Sequence, residues 1–186
     1  LVRPDGTVIV ADCFDPETGV LVNLDESVRG LTVPEHPTDD EIAAAKHLLR
    51  DVLFEMDGVD GYDGGVFARE TDRTHAIALL LTLLLRSCFS LVPLFLLNGL
   101  QRGVGKGELA TTTHHVVFGT PATMQATPES NAEMEKRFTA ELMAGRSFIG
   151  LDEVMDEGKC LLRSQALTAL LTTPIWGGRL LGKSES

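Results

Sequence analysis

Residues 94–110 read LFLLNGLQRGVGKGELA, an apolar run followed by a glycine-rich turn, a Gly-Lys pair and a helical pattern. This is the order of parts in a phosphate-binding loop. In such a loop, an apolar strand leads into backbone N–H groups that surround phosphate oxygens. In this chain we expect that strand at residues 92–98. The next helix directs the positive end of its dipole at the same anion. The stretch therefore predicts an anion site whose lining residues are Arg102, Gly103, Val104, Gly105, Lys106 and Gly107.

A second apolar strand, expected at residues 147–151, ends in the acidic pair Asp152 and Glu153. In a nucleotide hydrolase the corresponding strand holds Mg²⁺ and activates water. We expect Asp152 to hold Mg²⁺, largely through water, and Glu153 to be the catalytic base that polarises the attacking water. The loop and the acidic strand, in this order, are more specific together than either is alone. They predict binding of ATP with Mg²⁺, and Lys106 would bind the β- and γ-phosphates.

The loop departs from the pattern G-x-x-x-x-G-K-[ST] at two positions. Leu100 stands at the place of the first glycine, and Gly107 stands where a hydroxyl group would bind the metal. The missing hydroxyl removes one direct Mg²⁺ ligand. Loops similar to that of adenylate kinase also carry Gly after the Lys and still bind nucleotide, so we expect phosphate binding and leave hydrolysis open. A glycine-rich turn with a solvated Lys106 is the simpler alternative.

The composition argues against several classes of protein. A length of 186 residues, with 44% hydrophobic and 23% charged residues, favours one large globular domain, or one domain with an appendage, over a disordered chain. A net charge of −11 argues against a general nucleic-acid coat. The three cysteines form no C-x-x-C pair, which favours a reducing cytoplasm over a disulfide framework or a zinc site. The start without Met and the polar end predict a piece of a longer protein.

An apolar segment at residues 76–100 imitates a membrane span. Arg86 and Pro93 interrupt it, and a charge near the centre of a span costs about 2.5 kcal/mol or more. A buried helix, a short turn and a buried strand account for the segment without that cost. We therefore expect no contact with a membrane.

Turn residues and helix caps divide the rest of the chain into short elements. Residues 15–19 have the chemistry of a hairpin turn. Thr38 and Glu41 match a capping box, and the helix that they start carries an apolar face as far as Leu53. Thr127 before a proline is a helix-start signal. The predicted strands cover residues 7–11, 20–24, 92–98, 122–126 and 147–151, and the later helices cover roughly 72–88, 106–117, 127–144 and 162–172.

This alternation of strands and helices predicts an α/β fold with a parallel sheet and a nucleotide at the carboxyl edge of the strands. Residues 1–70 are predicted to form an N-terminal β-hairpin and a helical lead-in. Residues 71–186 are predicted to form the nucleotide-binding domain, without its C-terminal part.

The chain resembles the P-loop ATPase region of bacterial, phage and mobile-element replication proteins of the AAA+ and superfamily-3 helicase kind, which often accompany primase modules. The resemblance covers most of the chain. It is carried by residues 15–19 (DPETG), 33–37 (VPEHP), 92–96 (VPLFL), 137–142 (RFTAEL), the acidic strand, 170–176 (LLTTPIW) and 179–182 (RLLG).

The resemblance implies an ATP-dependent, helicase-like ATPase that acts on DNA with Mg²⁺, assembles as a homo-oligomeric ring and works in the cytoplasm. In that group the loop usually ends Gly-Lys-Thr, so Gly107 is a departure. The polar sensor strand and arginine finger of the group lie beyond the equivalent of residue 186. These departures leave a second hypothesis, a degenerate nucleotide-binding scaffold without hydrolysis. A small nucleotide kinase is the weakest alternative, because the chain after Glu153 offers few arginines for a lid.

Several other residues have two interpretations. His114 and His115 are adjacent on a helix and point about 100° apart, so satisfied or solvated side chains are favoured over metal ligands. Trp176 is expected to pack against a neighbouring helix rather than stack on single-stranded DNA. Arg137 could contact nucleotide, DNA or a second subunit, or form an ordinary surface ion pair. The Gly- and Asp-rich residues 57–65 are expected to be a surface loop rather than a Ca²⁺ site.

Overall fold

The computed structural model describes residues 1–55, 67, 69–99, 105–156, 159–160 and 162–177. These residues form a mixed α/β protein with five α-helices and three small two-stranded sheets, one of them parallel. The chain divides into two compact units, Leu1–Cys88 and Phe89–Ser186. The predicted functional division after residue 70 stays a prediction. The predicted loop at residues 57–65 lies outside the described residues.

The predicted hairpin is confirmed in the first unit. Strands β1 (Cys13–Asp15) and β2 (Val20–Val22) pair antiparallel, with Cys13 opposite Val22. The placement of the first strand at residues 7–11 was wrong. Val8 instead forms an isolated bridge with Val2. The reason is the turn, because Asp15 accepts hydrogen bonds from the Thr18 N–H at 3.1 Å and the Thr18 hydroxyl at 2.6 Å, which fixes the strand ends at the turn.

Helix α1 (Asp39–His47) begins at the predicted capping box. The Glu41 carboxylate accepts from the Thr38 N–H at 2.8 Å, and the Glu41 N–H donates to the Thr38 hydroxyl at 3.3 Å. The helix continues as a π-helix over Leu48–Leu53. Much of the predicted apolar face is exposed, since Leu48 and Val52 are each 58% exposed. Hydrophobic periodicity identifies the apolar face of a helix, but it does not identify the element that packs against that face. The wider winding of the π-helix also changes the direction of the face.

Helix α2 (Glu70–Leu84) and a 3₁₀ turn (Arg86–Cys88) account for the predicted helix at residues 72–88. The buried side of α2 carries Ala76, Leu79, Leu80 and Leu83. In the part of the chain that the structure describes, no helix is long and apolar enough to cross a membrane.

The second unit opens with residues 89–99, and the predicted strand at 92–98 is wrong. This segment has no regular secondary structure, and Leu94 and Leu96 are 48% and 64% exposed. Pro93 has no N–H to give to a sheet ladder, and apolar composition alone does not supply a pairing strand. Helix α3 (Lys106–Phe118) follows, within one residue of the predicted range 106–117, and ends at a left-handed Gly119.

The second unit contains a β–α–β unit. Strands β3 (Met124–Ala126) and β4 (Gly150–Asp152) are parallel, and helix α4 (Asn131–Met143) connects them. The parallel pair was predicted, but β4 begins three residues later than expected. A short antiparallel hairpin of β5 (Met155–Asp156) and β6 (Lys159–Cys160) follows β4. It was not predicted, because two-residue strands carry no readable periodicity.

Helix α5 (Gln165–Thr172) packs against α4 to form the core of the second unit. Met134 and Phe138 of α4 are fully buried there. The Trp176 ring meets Phe138 edge-on, with centroids 6.2 Å apart, and the Trp176 indole N–H donates to the Thr139 hydroxyl at 3.0 Å. The packing interpretation of Trp176 is therefore confirmed.

Candidate functional site

The Gly-Lys pair lies at the start of α3. Gly105 has a φ of +81° and is the N-cap, so Lys106 is the first helical residue. A positive φ of this size favours glycine, because other side chains are strained there. The Gly105 carbonyl accepts from the Leu109 N–H at 2.9 Å. The N–H groups of the first helical turn therefore point beyond the helix end, where anions bind. Arg102, Gly103 and Val104 lie outside the described residues.

Gly107 occupies the position of the missing hydroxyl. Outside its own helix and chain neighbours, a Cβ atom built on Gly107 would meet no atom of the described residues within 4 Å. The Thr111 hydroxyl, one turn further along α3, donates to the Gly107 and Glu108 carbonyls at 3.0 Å each, so it is engaged with the backbone of its own helix.

The acidic pair lies where β4 ends. Asp152 is the last strand residue, and Glu153 has a φ of +53°, so the chain leaves the strand through a left-handed residue. Both side chains are exposed. The Asp152 Oδ1 atom accepts a hydrogen bond from the Glu153 N–H at 2.8 Å. The two predicted acidic residues thus lie at the carboxyl end of a parallel strand.

Thr127 follows β3 at the same edge of the sheet. Its N–H and its hydroxyl both donate to the Asp152 carbonyl, at 2.9 Å and 2.6 Å. Its assignment as a helix cap was therefore wrong. Ser130 caps α4 instead, through a 3.2 Å bond from the Glu133 N–H. Local sequence patterns identify residues that can cap a helix, but they do not identify a carbonyl acceptor that is distant in the sequence.

Arg137 of α4 also reaches this edge. Its guanidinium donates to the carbonyl of Ala126, the last residue of β3. Sequence reasoning missed this contact with the backbone, and the pattern contains no signal for it. Thr127 therefore binds the carbonyl at the end of β4, and Arg137 binds the carbonyl at the end of β3.

The later turns of α3 lie beside the amino ends of the strands. The His114 Nδ1 atom is 2.6 Å from the Thr120 carbonyl, and the His114 ring is 5.3 Å from that of Phe148, just before β4. These contacts confirm that His114 is a satisfied residue. A shallow, mostly polar depression of about 90 Å³ lies here, and its lining includes Gln125 and Glu141. The start of α3 is eight residues from His114, about 12 Å along the helix axis.

Within the described ranges, no group of three or more His, Cys, Asp or Glu side chains could hold a metal ion. Any Mg²⁺ held by Asp152 would therefore take its remaining ligands from water or from nucleotide phosphates, which is the usual mode of this ion. The start of α3 and the acidic pair both belong to the unit Phe89–Ser186.

Comparisons with protein-family models, with curated proteins and with solved structures find no match to this chain. The resemblance to replication ATPases therefore stays a prediction, and the functional proposal depends on local geometry.

Proposed function

We propose that the unit Phe89–Ser186 is a P-loop domain that binds ATP with Mg²⁺ and hydrolyses it. The observation that carries the proposal is the start of α3. A left-handed Gly105 is followed directly by Lys106 as the first helical residue, so an ammonium group and the N–H groups of the first helical turn share one helix end. This combination favours a phosphate group over other anions.

The acidic pair gives the second half of the proposed site. Asp152 uses Oδ1 for the Glu153 N–H, which leaves Oδ2 as the oxygen for a metal ion or a metal-bound water. Glu153 stands just beyond the strand end, where its carboxylate acts as the base for an attacking water. Mg²⁺, when bound, neutralises charge that develops on the phosphates.

The wider role rests on the sequence resemblance alone. It is that of a DNA-replication or mobile-element helicase that forms a ring and acts on DNA in the cytoplasm. Its test is ATP turnover by the full-length protein with and without single-stranded DNA. We expect stimulation by DNA, and turnover that does not respond to DNA would contradict the helicase role.

Loss of the Lys106 ammonium tests the binding site directly. We expect Lys106→Ala to weaken binding of a fluorescent ATP analogue by at least about tenfold, equivalent to ~1.4 kcal/mol. The matched control is Lys136→Ala, since Lys136 pairs with Glu133 at 2.6 Å on the exposed side of α4. Equal affinities for the two variants and the unsubstituted chain would rule out this loop as the phosphate site.

The alternative is a nucleotide-binding scaffold that does not hydrolyse, and Gly107 is the observation that favours it. Gly107 allows a direct test, because Gly107→Thr adds the missing hydroxyl at a position where a Cβ atom meets none of the described residues outside its own helix and chain neighbours. Gly107→Val is the control of equal shape. If the scaffold hypothesis is right, the unsubstituted chain and the Gly107→Val variant do not hydrolyse ATP, and only the Gly107→Thr variant gains Mg²⁺-dependent turnover. Turnover near 1 s⁻¹ or above by the unsubstituted chain, within the usual enzyme range, favours the ATPase.

A further inference from the structure

Thr127 has a buried hydroxyl that does not cap α4, the helix that follows it. The residue is 7% exposed, and α4 begins four residues later with its own cap at Ser130. The hydroxyl instead donates to the Asp152 carbonyl at 2.6 Å, beside the 2.9 Å bond from the Thr127 N–H. Two donors from one residue therefore hold one carbonyl oxygen at the end of β4.

That carbonyl belongs to the peptide that joins the two acidic residues. The Asp152 C=O and the Glu153 N–H lie in one plane, because the peptide bond is planar. Thr127 holds the carbonyl end of the plane, and Asp152 Oδ1 holds the N–H end at 2.8 Å. The plane cannot rotate without loss of these three hydrogen bonds.

We infer that Thr127 is a positioning residue that fixes the Asp152–Glu153 peptide and so sets the direction of both carboxylates. Asp152 is oriented through its own bond to the fixed N–H. The Glu153 side chain is oriented because its left-handed φ of +53° sets its direction relative to that fixed peptide. The catalytic consequence rests on the proposed function, whereas the fixed peptide does not. Thr127 touches none of the reacting atoms.

The first test measures the peptide itself by NMR of amide–water exchange in the whole chain, without nucleotide. We expect Thr127→Val, which removes the hydroxyl and keeps the shape, to raise the exchange rate of the Glu153 amide at least about fivefold through local opening. Thr127→Ser should restore the rate. The matched control is Thr113→Val, since Thr113 is 1% exposed and its hydroxyl donates to the Leu109 carbonyl at the same 2.6 Å.

An unchanged exchange rate in Thr127→Val overturns the inference. So does an equal increase in Thr113→Val, because the effect is then a general loss of stability. If Thr127→Val does not fold, the through-bond coupling between the Thr127 nitrogen and the Asp152 carbonyl carbon is measured in the unsubstituted chain. Absence of this coupling also overturns the inference.

The second test is ATP turnover as a function of ATP and of Mg²⁺. We expect Thr127→Val to lower kcat at least about fivefold with KM for ATP unchanged, and Thr127→Ser to recover it, as for an interaction made in the transition state. A fall in stability with unchanged kcat overturns the positioning role. A chain that binds no ATP defeats the proposed function instead, and the amide exchange still decides whether Thr127 fixes the peptide.

Discussion

Glu153 holds a left-handed backbone at the point where β4 ends. A non-glycine residue in this region costs roughly 1–2 kcal/mol, and Glu lacks the short polar side chain with which Asn or Asp offsets part of the cost. Such strain persists where the surrounding structure determines the conformation, and it is concentrated at functional sites. The three hydrogen bonds on the preceding peptide are the local reason why Glu153 can keep this conformation.

The strain predicts that Glu153→Gly stabilises the protein. Glycine adopts a positive φ at little steric cost, but its greater freedom in the unfolded chain offsets part of the gain. We therefore expect the free energy of unfolding to rise by up to about 1 kcal/mol. Glu153→Gln keeps the strain and should leave the free energy of unfolding unchanged. Urea denaturation of the three proteins measures the difference. A glycine variant less stable than the glutamine variant would show that the backbone at Glu153 is not strained.

The charge of Glu153 is a separate prediction. Glu153→Gln keeps size and hydrogen bonding but removes the base, so we expect intact ATP binding and turnover lowered by at least about tenfold. Asp152→Asn should instead raise the Mg²⁺ concentration needed for half-maximal turnover. If Glu153→Gln turns over ATP like the unsubstituted chain, Glu153 is structural and the scaffold alternative is favoured.

At the scale of the elements, β3 and β4 approach closely at Gly150. A Cβ atom there would overlap the Met124 sulfur and lie 2.9 Å from the Phe148 ring and 3.2 Å from the Thr123 carbonyl. We expect Gly150→Ala to lower the free energy of unfolding by about 1–3 kcal/mol, the usual cost of overpacking. Gly107→Ala is the control, because its Cβ enters open space at the start of a helix. Equal stabilities of the two variants would contradict a tight strand pair.

The helix starts and ends that were predicted correctly depend on local chemistry. Thr38 with Glu41 and the left-handed Gly119 act within four residues of their own position, so the sequence contains all the information. The same holds for Gly105 and Lys106 at the start of α3. The strands were predicted less well, because a strand needs a partner that sequence patterns do not name. Residues 92–98 are strongly apolar, yet they have no regular structure.

The candidate site shows the same division. The acidic pair was recognisable as the end of an apolar run, and its place at the carboxyl end of a parallel strand follows from the β–α–β order. The role of Thr127 was not recognisable. Its partner carbonyl is 25 residues away in the sequence, and the neighbouring proline makes the residue resemble a helix cap.

At the scale of the whole molecule, hydrogen bonds lower the pKa of four carboxyl groups in the unit Leu1–Cys88, those of Asp5, Asp15, Glu41 and Glu70. Hydrogen bonds from Arg3 and then Thr18 lower the pKa of Asp15 from 3.8 to about 2. An Arg73 hydrogen bond lowers the pKa of Glu70. Backbone N–H bonds lower the pKa of Glu41, from Thr38, and of Asp5, from Thr7.

These shifts predict that acid destabilises the first unit. A lowered pKa in the folded state stabilises the fold above the unfolded pKa, and this contribution is lost as the pH falls toward the folded pKa. For Asp15 the window runs from 3.8 down to about 2. Hydrogen exchange at β2 reports the first unit. We expect β2 to lose protection as the pH falls through this window.

Asp15→Asn tests the cause of that loss of protection. The variant cannot ionise, so it lacks the Asp15 contribution at neutral pH, and its β2 protection should change less between pH 3.8 and about 2 than in the unsubstituted chain. Asp12→Asn is the control on the same hairpin, because Asp12 is exposed and its ion pair with Arg29 spans 3.1 Å at the surface. If β2 protection falls as much in Asp15→Asn as in the unsubstituted chain between pH 3.8 and about 2, Asp15 is not the cause of the loss.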